Sequence, residues 1–343
     1  MQFKITKPSR LLDKKGELIQ KGYALSPILK YCKADVARKL RLKEWDYYLI
    51  YNTDYATALT VGKSVNLILI SATFVDFNQG YEKTKSVVRI ISKKKFDMPT
   101  SSTIGDIAYH DKLASVSFKH VNEGRLIEIK LKNLGESTNF EASFMLTNEP
   151  KDSMVIATPF DEDKKAFYYN RKIIGMRASG TVRFKENVYS FSDTNTYGLL
   201  DWGRGVWPYK TTWYWGAAQG TISGNLFGFN LGYGFGNTSA ATENMLFFNG
   251  KASKLCDVNF HIPKNEKKQY EYMKPWKITS SNHRLNLTFH PILDRNVHLS
   301  AIILSTNQHQ VFGTFTGTAI LDDGTIIYLQ DFLGFAERVE NRW

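Results

Sequence analysis

Along most of the chain, short apolar runs alternate with polar positions at a period of two, the pattern of half-buried strands. Residues 46–51 (DYYLIY), 56–61 and 65–76 succeed one another across brief polar turns. Residues 86–91, 114–119, 126–131 and 140–146 continue the series, with Asn122-Glu123-Gly124 and Asn133-Leu134-Gly135 where hairpins need positive φ. Residues 180–185 and 187–191 read as a hairpin over Lys185-Glu186-Asn187. The second half repeats the habit at 211–218, 226–231, 245–248, 254–260, 285–290, 297–304, 311–319 and 325–329. Asn249-Gly250 and Asp322-Asp323-Gly324 are turn signals between apolar runs. Helical patterning is confined to 34–42 and 162–169, and residues 95–111 and 148–165 read as connections. So many short strands predict an all-β protein of two antiparallel barrels, or one large sandwich. The junction is expected between Ser190 and Asp201, giving an N-terminal domain over 1–195 and a C-terminal one over 196–343.

Composition supports sheet: 24 Gly, 22 Phe, 18 Tyr and 7 Trp supply turns and pleated surface. Cys32 and Cys256 are the only cysteines and lie far apart, which argues against a disulfide scaffold, an iron–sulfur site and a zinc ribbon. No apolar run is long enough to span a bilayer as a helix, and the first twenty residues contain no apolar signal core. A cytoplasmic protein is expected. The net charge of +12 gathers locally at Lys83, Lys85, Arg89, Lys93, Lys94 and Lys95. No nucleic-acid-binding motif accompanies it, so no nucleic-acid partner is expected. Peripheral contact with an anionic membrane stays open, as does the oligomeric state.

Two segments concentrate candidate chemistry. Residues 201–220 (DWGRGVWPYKTTWYWGAAQG) hold Trp202, Trp207, Trp213 and Trp215 with Tyr209, beside Asp201 and Arg204. Charges in so aromatic a setting either shift a carboxyl's pKa and position a substrate, or pair with each other inside a core. Residues 228–249 place glycines around Asn230, then Glu243 and Asn244 before an apolar strand. Gly232-Tyr233-Gly234-Phe235-Gly236 lacks the βαβ context of a nucleotide loop and reads as strand glycines. Asp201, Glu243 and Arg204 are therefore the candidate catalytic residues, expected to share one cavity. Trp202, Trp207, Tyr209, Trp213, Trp215, Asn230 and Asn244 are the candidate ligand contacts. The seven histidines have no ligand spacing and no nucleophile elbow is present, so neither a metal nor a cofactor is expected.

The stretches KEWDYY (43–48), LLDWGRGVWPYKTTWYWGAAQG (199–220), GFNLGYGFGNTSAATENMLFFNGK (228–251), VFGTFTGT and GFAERVENRW resemble the family called domain of unknown function 2804. That family is distantly similar to the two-domain lipocalin-like group of carotenoid 1,2-hydratases, tocopherol cyclases and polyketide-cyclising enzymes. The resemblance implies two packed barrels and an apolar, isoprenoid or lipid-like small-molecule ligand. Any chemistry would be acid-catalysed hydration or cyclisation, of lyase, isomerase or hydrolase type. Trp-rich strands with carboxylates leave a carbohydrate-active or carbohydrate-binding protein as the alternative. A non-catalytic module with an aromatic core is a third reading.

Overall fold

The computed structural model describes residues 2–90, 96–132, 139–301 and 304–342. The turn at 133–135 and the lysines at 93–95 lie outside them. Strand is the dominant state, and the only helical segments among the described residues are single 3-10 turns at Lys33–Asp35 and Lys39–Arg41. Helix was expected over 34–42 and 162–169. The first stretch is these two turns, and the second enters the strand Asp163–Phe184. There Phe167, Tyr168 and Tyr169 are all buried because both strand faces are covered, which hides the alternation. For the same reason the expected connection at 148–165 contains a further strand, Met154–Phe160.

The larger sheet runs Tyr81–Ile90, Leu67–Asp76, Tyr55–Ser64, Leu42–Tyr51, Tyr197–Val206, Asp163–Phe184, Phe140–Thr147, Gly124–Leu131, Ala114–Val121, Ile107–His110. It curls until its ends approach, where Arg89 Nε lies 2.6 Å from Asp111 Oδ2. The second sheet runs Lys251–Lys254, Met245–Phe248, Asn225–Tyr233, Lys210–Ile222, Ile326–Arg342, Leu304–Ile320, Leu285–Ala301, Trp276–Ser280, Val258–His261. It too curls, bringing the Phe260 amide to the Tyr233 hydroxyl at 3.4 Å. Neighbouring strands within both sheets are antiparallel. This is the expected all-β, barrel-like architecture. The chain changes sheet at 207–209, because Tyr197–Val206 is paired on both sides within the first sheet. The expected junction between Ser190 and Asp201 falls before that strand's end.

Two cores result. One fills the first barrel and continues across the contact between the sheets, where Trp215, Phe235, Phe312 and Phe335 join it. The other, around Phe229, Trp276, Phe289 and Phe315, fills the second barrel. Among the described residues no helix is long and apolar enough to cross a membrane.

Candidate functional site

Three neighbouring strands of the first sheet carry charge on both faces. Register pairs Asp201 with Lys172 on one side and Tyr47 on the other, and sets Gly203 between Asn170 and Trp45. Successive side chains point to opposite faces. Trp45, Tyr47, Tyr168, Asn170, Lys172 and Asp201 therefore look toward the second sheet. Glu44, Asp46, Tyr169, Arg171, Trp202 and Arg204 look into the first barrel. The second sheet answers with Trp213, Trp215, Asn230, Gln310 and Glu337, brought together by the pairing of Trp215 with Glu337 and of Glu337 with Gln310.

Lys172 is the hub. Its ammonium lies 3.1 Å from Asp201 Oδ1, 4.1 Å from the Trp215 ring centroid and 5.7 Å from that of Phe235. Asn170 Nδ2 also donates to Asp201 Oδ1, at 2.5 Å. Glu243 accepts from the Tyr168 hydroxyl at 3.2 Å and from Asn230 Nδ2 at 3.3 Å. Asn230 is itself fixed by Trp215 Nε1, which donates to its Oδ1 at 2.7 Å. Glu337 accepts from Trp213 Nε1 at 3.0 Å and from Gln310 Nε2 at 3.1 Å. Gln310 in turn accepts from Arg295 Nη1 at 2.8 Å.

Three carboxyl groups thus gather about one lysine, with Arg295 as the next cation. For Glu243 and Glu337 burial disfavours the charged form, and a neighbouring carboxylate adds to that cost. Burial is the main cause lifting Glu243 above its ordinary value, with Asp201 reinforcing it and Lys172 opposing. Burial likewise lifts Glu337 to about 7, although the Trp213 hydrogen bond and Lys172 pull it back. Beside Glu243 lies a void of about 10 Å3, bordered by Tyr168, Phe235, Gly232, Tyr233, Thr158 and Thr238. That is about the room one water needs. The outer wall is residues 234–240, tied down by Thr158 Oγ1 donating to Phe235 O and Asn237 Nδ2 donating to Asp161, each at 2.7 Å.

The model of the family described as domain of unknown function DUF2804 matches residues 2–343. The chain belongs to the DUF2804 family. No curated protein sequence matches it. Among solved structures, a Nitrosomonas europaea protein provisionally assigned as AttH superposes with a TM-score of 0.55 at 11% identity, covering 88% of this chain and 92% of the other. Kievitone hydratase from Nectria haematococca gives 0.48 at 9% identity, over 88% of each chain. A complex of CghA with Sch210972 gives 0.42 at 9%, over 98% and 97%. The DUF2804 chain shares the fold of the first of these.

Of the residues expected to act, this DUF2804 protein brings Asp201, Glu243, Asn230, Trp213 and Trp215 together. Trp207 adjoins them, 5.5 Å from both Tyr168 and Trp213. Arg204 does not join. Three positions from Asp201 puts it on the opposite face, where it binds Asp46 at 3.0 Å and stacks on Trp202 at 4.1 Å. Trp202 is buried with it, inside the first barrel. Tyr209 lies on the exposed crossing between sheets, 52% accessible. Asn244 is turned to its own sheet, accepting from the Gly232 amide at 2.7 Å and donating to Cys256 O at 3.0 Å. Sequence reasoning missed Lys172, Glu337, Gln310 and Tyr168. The available signal was charge inside an apolar run, as in AFYYNRKIIGM and LGFAERVE.

Proposed function

We propose that this protein binds an apolar, alkene-bearing small molecule between its two sheets and protonates it, with Glu243 as the acid. One observation supports this reading above the others. A carboxyl group whose burial favours the protonated form stands at the edge of a void walled by the Tyr168 and Phe235 rings. A neutral carboxylic acid can donate a proton, and aromatic faces stabilise cationic character. Glu243 would deliver its proton to one alkene carbon. Water would then add to the carbocation and return a proton to the carboxylate, or a second double bond would close a ring and a neighbouring carbon would lose the proton. Lys172 and Asp201 act on Glu243 in opposite senses, the lysine lowering its pKa and the aspartate raising it. A substrate larger than water enters only if residues 234–240 swing outward, leaving Glu243 in place on Tyr168 and Asn230. The carbohydrate alternative has less support, because the Trp213 and Trp215 indoles are hydrogen-bonded to Glu337 and Asn230 and packed edge-on or tilted against other rings.

The test starts from native mass spectrometry of purified protein to find a co-purifying apolar molecule. That molecule is then incubated in D2O with the wild type or with Glu243→Gln. Wild type should place deuterium on carbon, and the variant should do so about 100-fold more slowly or worse while staying folded. Equal incorporation by both proteins would remove Glu243 from the chemistry. Tight binding with no incorporation by either would leave a carrier in place of a catalyst.

A further inference from the structure

The opposite face of the same three strands holds a second charged cluster that the proposed chemistry does not use. Arg125, Arg171 and Arg204 are almost fully buried inside the first barrel. Glu149 bridges Arg125 and Arg171, at 2.8 Å from each. Arg204 faces Asp46 at 3.0 Å and Glu44 at 3.5 Å, and Glu44 also meets Lys33 at 3.3 Å. Asp97 completes the group with Lys33 and Lys63. Among the described residues, five cations therefore meet four carboxyl groups. Burial lifts the pKa of both Glu44 and Asp46, whereas Arg125 and Arg171 hold Glu149, and Lys33 and Lys63 hold Asp97, below the ordinary carboxyl value.

Oxygens from an irregular strap, residues 96–106, meet that excess. Arg204 donates to Pro99 O at 2.8 and 3.3 Å, and Arg125 to Ser102 O at 2.8 Å. Arg171 donates to Ser102 Oγ at 3.3 Å, Lys33 to Met98 O at 2.6 Å, and Lys63 to Phe96 O at 3.1 Å. Among the described residues, none of the strap's backbone groups pairs with another backbone group. The strap is thus a segment held by cations across the barrel, with Phe96, Met98 and Ser102 turned inward and Thr103 to Asp106 exposed. Beneath it, Trp202 lies under the Arg204 guanidinium, and its buried Nε1 has no hydrogen-bond partner among the described residues.

Carbonyl dipoles are weaker acceptors for guanidinium than full anions, which make charge-assisted and often bidentate bonds. We infer that the first barrel contains a second binding site, for a carboxylate or phosphate whose oxygens replace the Pro99 and Ser102 carbonyls as residues 96–106 lift. The barrel wall below the arginines is apolar, with Phe118, Ile127 and Phe144 packed in the core, so a free anion needs only the strap to lift, whereas an amphiphile's tail must also displace packed side chains.

Hydrogen exchange of the strap, read by mass spectrometry on the full-length protein, tests this. Inorganic phosphate, acetate and dodecanoate serve as three probes. At least one should raise exchange across residues 96–106 in a saturable way. Response to dodecanoate but not acetate identifies an amphiphile, and response to phosphate or acetate alone identifies a free anion. Two variants separate binding from architecture. Arg171→Gln should weaken affinity at least tenfold. Met98→Ala removes a buried strap anchor and should tighten it severalfold, because strap and anion compete for the same donors. A structural plug predicts the reverse: no saturable response to any probe, and no gain in affinity for Met98→Ala. Either result overturns the proposal, even where Arg171→Gln fails to fold.

Discussion

Burial raises the pKa of Glu337 against the pull of Trp213 and Lys172, and this has a measurable sign. Its pKa in the folded protein is raised to about 7, whereas an unfolded chain releases that proton near 4.3. Between those values the folded state holds a proton that the unfolded state has lost. The associated stability is therefore fully present below about pH 4.3 and lost as pH rises through about 7. Glu337→Gln removes the titration. Relative to that variant, wild type should lose on the order of 3 kcal/mol across the window, read from urea midpoints at several pH values. A difference between the two proteins that stays flat across the window would mean that Glu337 ionises normally and that the cluster is wetter than its burial indicates.

At the scale of strands, close approach replaces pocket space. Gly232 is the clearest case: a Cβ built there would lie 2.3 Å from Glu243 Oε1 and 3.0 Å from Phe235. Gly232→Ala should therefore displace the Glu243 carboxyl from Tyr168 and Asn230 and destabilise the protein by about 1–3 kcal/mol. Gly62→Ala, whose nearest contacts are 3.9 Å away, should be nearly neutral by the same denaturant assay. If both substitutions cost the same, steric contact with Glu243 is not what Gly232 relieves. The strands themselves were largely legible, since alternation and turn residues such as Asn249-Gly250 bracket most of them. Strands covered on both faces were not, and this is why 154–160 and 163–169 were misread. Asp201 and Glu243 were legible as charges in aromatic surroundings. Their partner Lys172 was not, because the register that sets it opposite Asp201 is a tertiary fact. Arg204 was misplaced through its nearness in sequence: a strand separates residues three apart onto opposite faces.

For the whole molecule, the three long strands of the second sheet decide how independent the two barrels are. Leu285–Ala301, Leu304–Ile320 and Ile326–Arg342 have 17 residues each, or roughly 55 Å of extended chain. One face of these strands packs Leu287, Phe289, Val311 and Phe315 into the second core, while Leu293, Phe312 and Phe335 on the other face join the first. Each barrel thus lacks part of its apolar cover without the other. Calorimetry should show one cooperative transition, and residues 1–206 expressed alone should bind a hydrophobic dye and lack a sharp melt. Two separate transitions, or a cooperatively folded fragment, would show that the cores are independent.

The central strand pairing also governs timing during synthesis. Leu42–Tyr51 lies hydrogen-bonded beside Tyr197–Val206, and the ionic contact between Asp46 and Arg204 spans 158 residues of sequence. At about 5–20 residues per second, a ribosome needs roughly 10–30 s to supply that partner. Throughout that interval one edge of Leu42–Tyr51 waits with its amides and carbonyls unpaired, and Asp46 waits without its guanidinium. A nascent chain in this condition is a substrate for holding chaperones and for strand-to-strand association with its neighbours on a polysome. Slower initiation or a lower growth temperature should therefore improve soluble yield more than any change to the finished fold's stability.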